Sequence, residues 1–150
     1  MGHKKNFSGL KGDCVLEALY AVSPPSVKTS DVYEAAVATG AYDPRRGGMW
    51  IHDERFSDVL KILGITWRSV RVPSALGCCA VYRPGSVKPY KWTLYRFIKK
   101  HPKGRFLVHG SDHTVAVIDG DLIDPNFQES GVKSRVMMRI RKAEEIIGCL

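Results

Sequence analysis

The stretch that decides the fold is "HTVAVIDGDLIDPN", His113 to Asn126, in the last third of the chain. An apolar run is followed by Asp119-Gly120 and then by a second, shorter apolar run. Asp-Gly suits a two-residue type I′ turn, because both central residues of that turn take a positive φ. The stretch therefore predicts a β-hairpin with one strand from Thr114 and another through Ile123.

A type I′ turn also predicts which residues lie opposite one another. In that register Val115 faces Asp124, and since side chains alternate between faces, His113 shares their face. His113 and Asp124 are then diagonal neighbours, about 7–8 Å apart at the backbone, a separation that long side chains can close. A carboxylate there can fix the tautomer of an imidazole. A three-residue loop would move Asp124 to the other face, and residues 124–126 also suit an ordinary turn at the end of a strand.

Working outward, apolar residues at helical spacing predict four helices, and short apolar runs predict further strands. Helices that precede most of the strands indicate an α+β fold with a segregated antiparallel sheet. The first predicted helix follows an N-cap at Asp13 and ends at Ser23-Pro24-Pro25, and the second runs from Thr29-Ser30-Asp31, with Asp31 as its cap, to Gly40. Two more helices are predicted from about His52 to Leu63 and from Thr93 to about Lys100. Strands are predicted over 65–72, 106–109, 114–118, 122–123 and 132–141, and an irregular segment over 73–92.

Composition indicates one soluble globular domain over residues 1–150, with 44% hydrophobic and 25% charged residues. Residues 1–12 are polar and basic, and we expect a flexible or cleft-lining N-terminal segment there. No apolar run approaches the roughly 20 residues of a membrane span, and no signal-peptide core is present. We therefore expect a cytoplasmic protein that has no membrane partner.

The net charge of +8 is compatible with nucleic acid, with an acidic protein partner, or with solubility alone. The basic residues are scattered and accompany no nucleic-acid module, so nucleic acid is not the partner we expect. The four cysteines show neither CxxC spacing nor a disulfide framework. Reduced thiols are the simplest interpretation of this pattern.

Cys14 stands where the first predicted helix begins, which leaves two interpretations. A free cysteine is often a small buried residue. A cysteine nucleophile instead needs a stabilised thiolate, a base and a group that orients the base. A helix N-terminus favours the thiolate, His113 could act as the base, and Asp124 could orient it. The amide of Cys14 could then contribute to an oxyanion hole.

At this point the chain resembles the papain-like cysteine peptidases. It is most similar to compact domains that process bacteriocin leader peptides and to small bacteriophage-encoded relatives. The resemblance covers most of the chain. It is carried by Asp13-Cys14, Glu17-Ala18-Leu19, "LKILG" from Leu60 to Gly64, and "HPKGRFLVHGSDHTVAVIDGDLIDPN" from His101 to Asn126.

The resemblance implies a papain-like fold in which the helix that bears the nucleophile packs on a C-terminal antiparallel sheet. It implies Cys14 as the nucleophile, His113 as general base and acid, and Asp124 as the orienting residue. The implied reaction is hydrolysis of an amide or isopeptide bond in a peptide or protein, through a thioester acyl-enzyme. It implies no metal or organic cofactor, and a viral member would act in the host cytoplasm.

One departure from the family concerns the oxyanion hole. The family usually has a glutamine about six residues before the cysteine, where this chain has Ser8; the nearest side-chain amide is Asn6. Asn6, Ser8 or a backbone amide near Asp13 could serve, the last by resemblance to the "GDC" of ovarian-tumour-type deubiquitinases. An incomplete hole is the remaining alternative, and losing one such donor costs about 10² to 10³ in rate.

Further candidates are residues of the cleft and a metal site. Gly48 and Trp50, in a glycine-rich loop, and Asp112, beside the candidate base, could line a substrate cleft; a plain surface loop is the alternative for the first two. His109 and His113 have a spacing that suits a metal only on a helix, and Gly110 argues against a helix there. No metal site is therefore expected.

Two other functions stay open at the level of sequence. The same fold could be an inactive or weakly active module that binds or inhibits an acidic partner, as the +8 charge and the missing glutamine suggest. The same three residues could also serve an acyl transferase or a deubiquitinase-like isopeptidase.

Overall fold

The computed structural model describes residues 14–45, 49, 51, 54–72, 93–110, 113–123 and 140–149. Within these ranges the chain forms four helices and one five-stranded sheet, an α+β fold. The helices are α1 (Cys14–Val22), α2 (Thr29–Ala38), α3 (Glu54–Ile62) and α4 (Leu94–Lys100); the strands are β1 (Ile65–Val70), β2 (Arg105–His109), β3 (Thr114–Ile118), β4 (Asp121–Ile123) and β5 (Lys142–Cys149).

Helix α1 is the most deeply buried helix, with seven of its nine residues buried. A helix that is apolar on nearly all sides belongs in a core rather than on a surface. It ends at Val22 as predicted, because two prolines follow and cannot continue the ladder. Both the backbone N–H and the hydroxyl of Ser23 donate to the carbonyl of Leu19, at 3.0 and 2.6 Å.

Helix α2 lies where it was predicted, but it starts at Thr29, three residues earlier than a cap at Asp31 implies. Lys28 is the N-cap, and Asp31 lies three positions later, where its carboxylate accepts from the backbone N–H of Lys28 at 2.8 Å. Asp31 is therefore not the cap, and because a lysine side chain has no acceptor, only this half of a capping box forms. The helix closes through Gly40 at φ +78, a left-handed conformation that glycine favours.

The sheet has the order β1-β5-β2-β3-β4, and every neighbouring pair is antiparallel. The predicted hairpin joins β3 to β4 and pairs Ile118 with Asp121 and Ala116 with Ile123. Asp119 and Gly120 both take positive φ, +50 and +82. The two-residue turn and its register are thus confirmed, and the three-residue loop is excluded.

Helices cover both faces of this sheet. One face, here called the α1 face, packs through Leu107, Ala116 and Ile146 against the core of α1, α2 and α3. The opposite face, here called the α4 face, packs against Leu94 and Phe97 of α4. The residues of the α4 face include Phe106, Val108, Val115, Val117 and Ala143.

Strand β5 was not predicted, although it lies in the interior of the sheet between β1 and β2. The predicted strand over 132–141 falls mostly outside the described residues, and Ile140 and Arg141 precede β5 rather than belong to a strand. The sequence does not predict β5 because Glu144, a buried carboxylate on the α1 face, interrupts the apolar pattern that marks a buried strand. The predicted irregular segment over 73–92 also lies outside the described residues.

Candidate active site

Cys14 is the first residue of α1 and is half-buried. Its side chain packs against the core on the α1 face. The first amides of a helix have no partner within the helix, and they favour a negative charge placed near them. Cys14 therefore stands at the end of α1 where backbone amides have no partner within the helix.

The direction of α1 tells which end of the sheet Cys14 approaches. Arg105, the first residue of β2, donates from Nη1 to the carbonyl of Val22 at 3.2 Å, so the last turn of α1 lies where β3 ends. Helix α1 packs mainly on β3 and also on β2, which requires it to run roughly along these strands. Nine helical residues span about 14 Å and five strand residues about 16 Å. Cys14 therefore lies at the end of the sheet where β3 begins.

His113 lies at this same end, directly before β3, and is half-buried. Its carbonyl accepts from the backbone N–H of Gly110 at 2.7 Å, which closes the short connection between β2 and β3. The structure thus brings the first residue of α1 and the residue before β3 to one end of the molecule.

The face of the sheet on which His113 lies decides how its imidazole could reach Cys14, and the hairpin register alone does not show this. Val115 lies on the α4 face, and Ala116 lies on the α1 face. Continuing the alternation by one step beyond β3 would place His113 on the side of Val115, away from α1. For the imidazole to meet Cys14, it has to reach around the end of the sheet toward α1.

The remaining predicted site residues lie outside the described residues. They are the orienting residue Asp124, the oxyanion candidates Asn6, Ser8 and Asp13, and the cleft candidates Gly48, Trp50 and Asp112.

A buried polar cluster, which sequence reasoning missed, lies at the same end of the sheet. His109 ends β2, and Thr114 begins β3 directly opposite it. Nδ1 of His109 lies 2.9 Å from the Thr114 hydroxyl, and Nε2 lies 2.5 Å from Oε1 of Glu144 on β5. The side chains of His109 and Glu144 are 0% and 2% exposed. We call these three residues the Thr114–His109–Glu144 chain.

The chemistry of this chain assigns its protons. With Glu144 ionised, its carboxylate only accepts, so Nε2 of His109 then carries the hydrogen and donates to it. In a neutral ring the Thr114 hydroxyl then donates to Nδ1. Both ring nitrogens are occupied, and the ring has no exposed surface. His109 is therefore available neither as a base for Cys14 nor as a metal ligand.

The second oxygen of Glu144 faces a lysine. Oε2 lies 3.4 Å from Nζ of Lys142 without a hydrogen bond. That ammonium donates to the carbonyl of Ile51 and lies 5.0 Å from the centre of the Phe56 ring. The Phe56 ring meets His109 edge-on, with centroids 5.6 Å apart. The cluster thereby ties three strands to α3 and to Ile51 before it.

No sequence signal marked this cluster as functional. His109 ends an apolar strand, which suggests a buried polar partner, but Glu144 is 35 residues away in the chain. The spacing of His109 and His113 instead suggests a metal pair. In the part of the chain that the structure describes, no group of three or more His, Cys, Asp or Glu is arranged to hold a metal ion. None of the helices in the described ranges is long and apolar enough to cross a membrane.

No known protein-family model, curated protein or solved structure gives a significant match to the chain. The fold and the described residues define an α+β protein with a cysteine at the start of its most buried helix. A half-buried histidine lies at the same end of its sheet.

Proposed function

We propose that this protein is a papain-like cysteine peptidase that hydrolyses an amide or isopeptide bond. The observation that carries the proposal is the placement of Cys14 and His113. Cys14 opens the helix that runs along β3, and His113 immediately precedes β3 at the end where that helix begins. Cys14 and His113 would supply the nucleophile and the base of the three-group arrangement that marks covalent catalysis, and Asp124 is proposed as the third group.

In the proposed reaction the Cys14 thiol gives its proton to His113, and the sulfur attacks the carbonyl carbon of the substrate. The tetrahedral intermediate collapses as the carbon–nitrogen bond breaks, and His113 returns the proton to the leaving amine. Water, deprotonated by the same imidazole, then attacks the thioester and releases the acid and the free thiol. Asp124, which lies outside the described residues, is the proposed orienting group, because one further step of the β3–β4 register would pair it with Val115.

Two features of the fold support this reaction. The helix N-terminus favours the thiolate and offers the Cys14 amide to a developing oxyanion. Asn6, Ser8 or a backbone amide near Asp13 is the proposed second donor.

The absence of CxxC spacing and of a disulfide framework fits a reducing compartment, so we propose a cytoplasmic enzyme.

Site-resolved alkylation tests the proposal without a known substrate. The full chain is treated with iodoacetamide, and mass spectrometry follows each of the four cysteines. We expect Cys14 to react fastest and His113→Ala to slow it by at least about tenfold, since a positioned base contributes about 10² to 10⁴. His101→Ala, which removes a half-buried histidine at the end of α4, is the matched control and should leave the rate unchanged. Equal rates for the parent and His113→Ala would contradict an activated pair.

A binding module for an acidic partner is the second candidate. The net charge of +8 and the serine at the position of the usual glutamine favour it. Binding that survives Cys14→Ala and weakens steeply with salt would support this candidate over the peptidase.

An acyl transferase or a deubiquitinase-like isopeptidase would use the same three residues. The two outcomes of the thioester differ only in the acceptor, water or an amine. The mass of the product formed in the presence of an added amine separates transfer from hydrolysis.

A further inference from the structure

We propose that the Thr114–His109–Glu144 chain positions His113, so that Thr114, His109 and Glu144 are positioning residues for the candidate base. The inference rests on the proposed function, because it assigns His113 the role of base. It extends that function to three buried residues that do not themselves react.

The first step is the way in which the connection between β2 and β3 is closed. The backbone of His113 is fixed at its own carbonyl, which accepts from the backbone N–H of Gly110 at 2.7 Å. The next residue, Thr114, is fixed through its side chain to His109 at 2.9 Å. Both bonds restrain the peptide that joins His113 to Thr114, and neither bond uses the imidazole of His113.

The second step is the anchor of that side-chain bond. The ring of His109 is held at 2.5 Å by Glu144, which lies on β5 in the interior of the sheet. Glu144 pairs with Ser69 of β1 on one side and Leu107 of β2 on the other, so its backbone cannot shift without the sheet. Rotation of the His109 ring, and with it a shift of Thr114, is therefore opposed by the sheet.

The third step is the polarity of the chain. A buried ion pair or hydrogen-bonded pair is often no more stabilising than apolar residues of the same volume. Stability alone therefore does not account for a histidine and a glutamate buried side by side on the α1 face. A hydrogen-bonded polar chain does supply direction, because each bond restricts the orientation of the next group. That direction ends at Thr114, the residue that follows His113.

The experiment uses three threonine variants of the full chain. Thr114→Val removes the hydroxyl but keeps the branched shape, and Thr114→Ser keeps the hydroxyl. Thr66→Val is the matched control, because Thr66 also lies on a strand of this sheet and donates to the carbonyl of Gly148 at 3.1 Å. Two readouts are taken: the rate of Cys14 alkylation, and the NMR titration and tautomer of the His113 ring.

We expect Thr114→Val to slow Cys14 alkylation by about ten- to a hundredfold, since misplacement by about 1 Å has effects of that size. We also expect it to shift the titration midpoint of His113. Thr114→Ser and Thr66→Val should retain the parent rate and the parent titration. A structural role alone would lower the melting temperature without moving the midpoint of His113.

The outcomes separate this inference from the proposed function. If His113→Ala slows alkylation but Thr114→Val changes neither readout, the positioning role is wrong and the peptidase proposal stands. If His113→Ala has no effect, the peptidase proposal fails and the inference fails with it. Should Thr114→Val not fold, Glu144→Leu removes the acceptor that holds the His109 ring; an unchanged His113 titration in that folded variant overturns the inference.

Discussion

Two contacts of β5 have the same nitrogen–oxygen distance but opposite surroundings. Nε2 of His109 and Oε1 of Glu144 are 2.5 Å apart, with side-chain exposures of 0% and 2%. Nε of Arg68 and Oε1 of Glu145 are also 2.5 Å apart, with exposures of 68% and 24%. Because screening and desolvation depend on burial rather than on distance alone, we predict very different costs for removing a partner from each pair.

The structure sets the expected magnitudes. His109→Phe leaves the carboxylate of Glu144 buried, with the Lys142 ammonium 3.4 Å from its Oε2. Breaking a buried pair in this way costs about 3–5 kcal/mol. Glu144→Leu leaves one buried N–H of His109 without an acceptor, at about 1–3 kcal/mol. Arg68→Met removes an exposed pair worth about 0–1 kcal/mol.

Urea unfolding of the four single and double variants measures these costs. The double variant His109→Phe/Glu144→Leu removes both polar partners, and it should cost less than the sum of its single variants by about 0.5–3 kcal/mol. For a chain of this size each kcal/mol lowers the melting temperature by about 2–4 °C. A His109→Phe cost no larger than that of Arg68→Met, or strict additivity in the double variant, would refute the reasoning.

Three further predictions concern a turn, a cap and a titration. Gly120→Ala should destabilise the hairpin by about 1–2 kcal/mol in thermal unfolding, because φ is +82 there; Gly120→Asn should cost less, and equal costs would contradict the turn geometry. Thr93→Ala should cost about 0.5–2 kcal/mol, because its hydroxyl accepts from Arg96 N–H at 3.3 Å; no loss relative to Thr93→Ser would contradict the cap. Burial and the charge of Lys100 lower the pKa of His101 below 6.5, against an opposing effect of Glu145. The unfolded chain therefore takes up the proton first, and the free energy of unfolding falls as pH drops below about 6.5. His101→Gln should flatten this fall in unfolding experiments, and an unchanged slope would refute the prediction.

The parts of the fold that could be predicted from sequence carry strong local signals. Two prolines end α1, Gly40 closes α2, and Asp119-Gly120 accepts the positive φ of a type I′ turn. Each signal acts within a few residues, so no knowledge of distant partners is needed. The cap of α2 shows the limit of such signals, because Asp31 acts on the helix start from inside the first turn rather than before it.

The parts that could not be predicted depend on residues far apart in the chain. Glu144 faces the core because His109, 35 residues earlier, satisfies it, and a buried glutamate disguises its strand. The hairpin correctly pairs β3 with β4, but it does not encode which face of the sheet α1 covers. The relation between Cys14 and His113 therefore depends on packing, which no spacing along the chain expresses.

The distance between Cys14 Sγ and the His113 imidazole in a crystal structure of the full chain tests the central claim most directly. The proposed reaction predicts hydrogen-bond reach, at most one intervening water, with the ring turned around the end of the sheet toward α1. An imidazole that instead packs beside Val115 on the α4 face, separated from Cys14 by the sheet, would contradict the proposed catalytic pair.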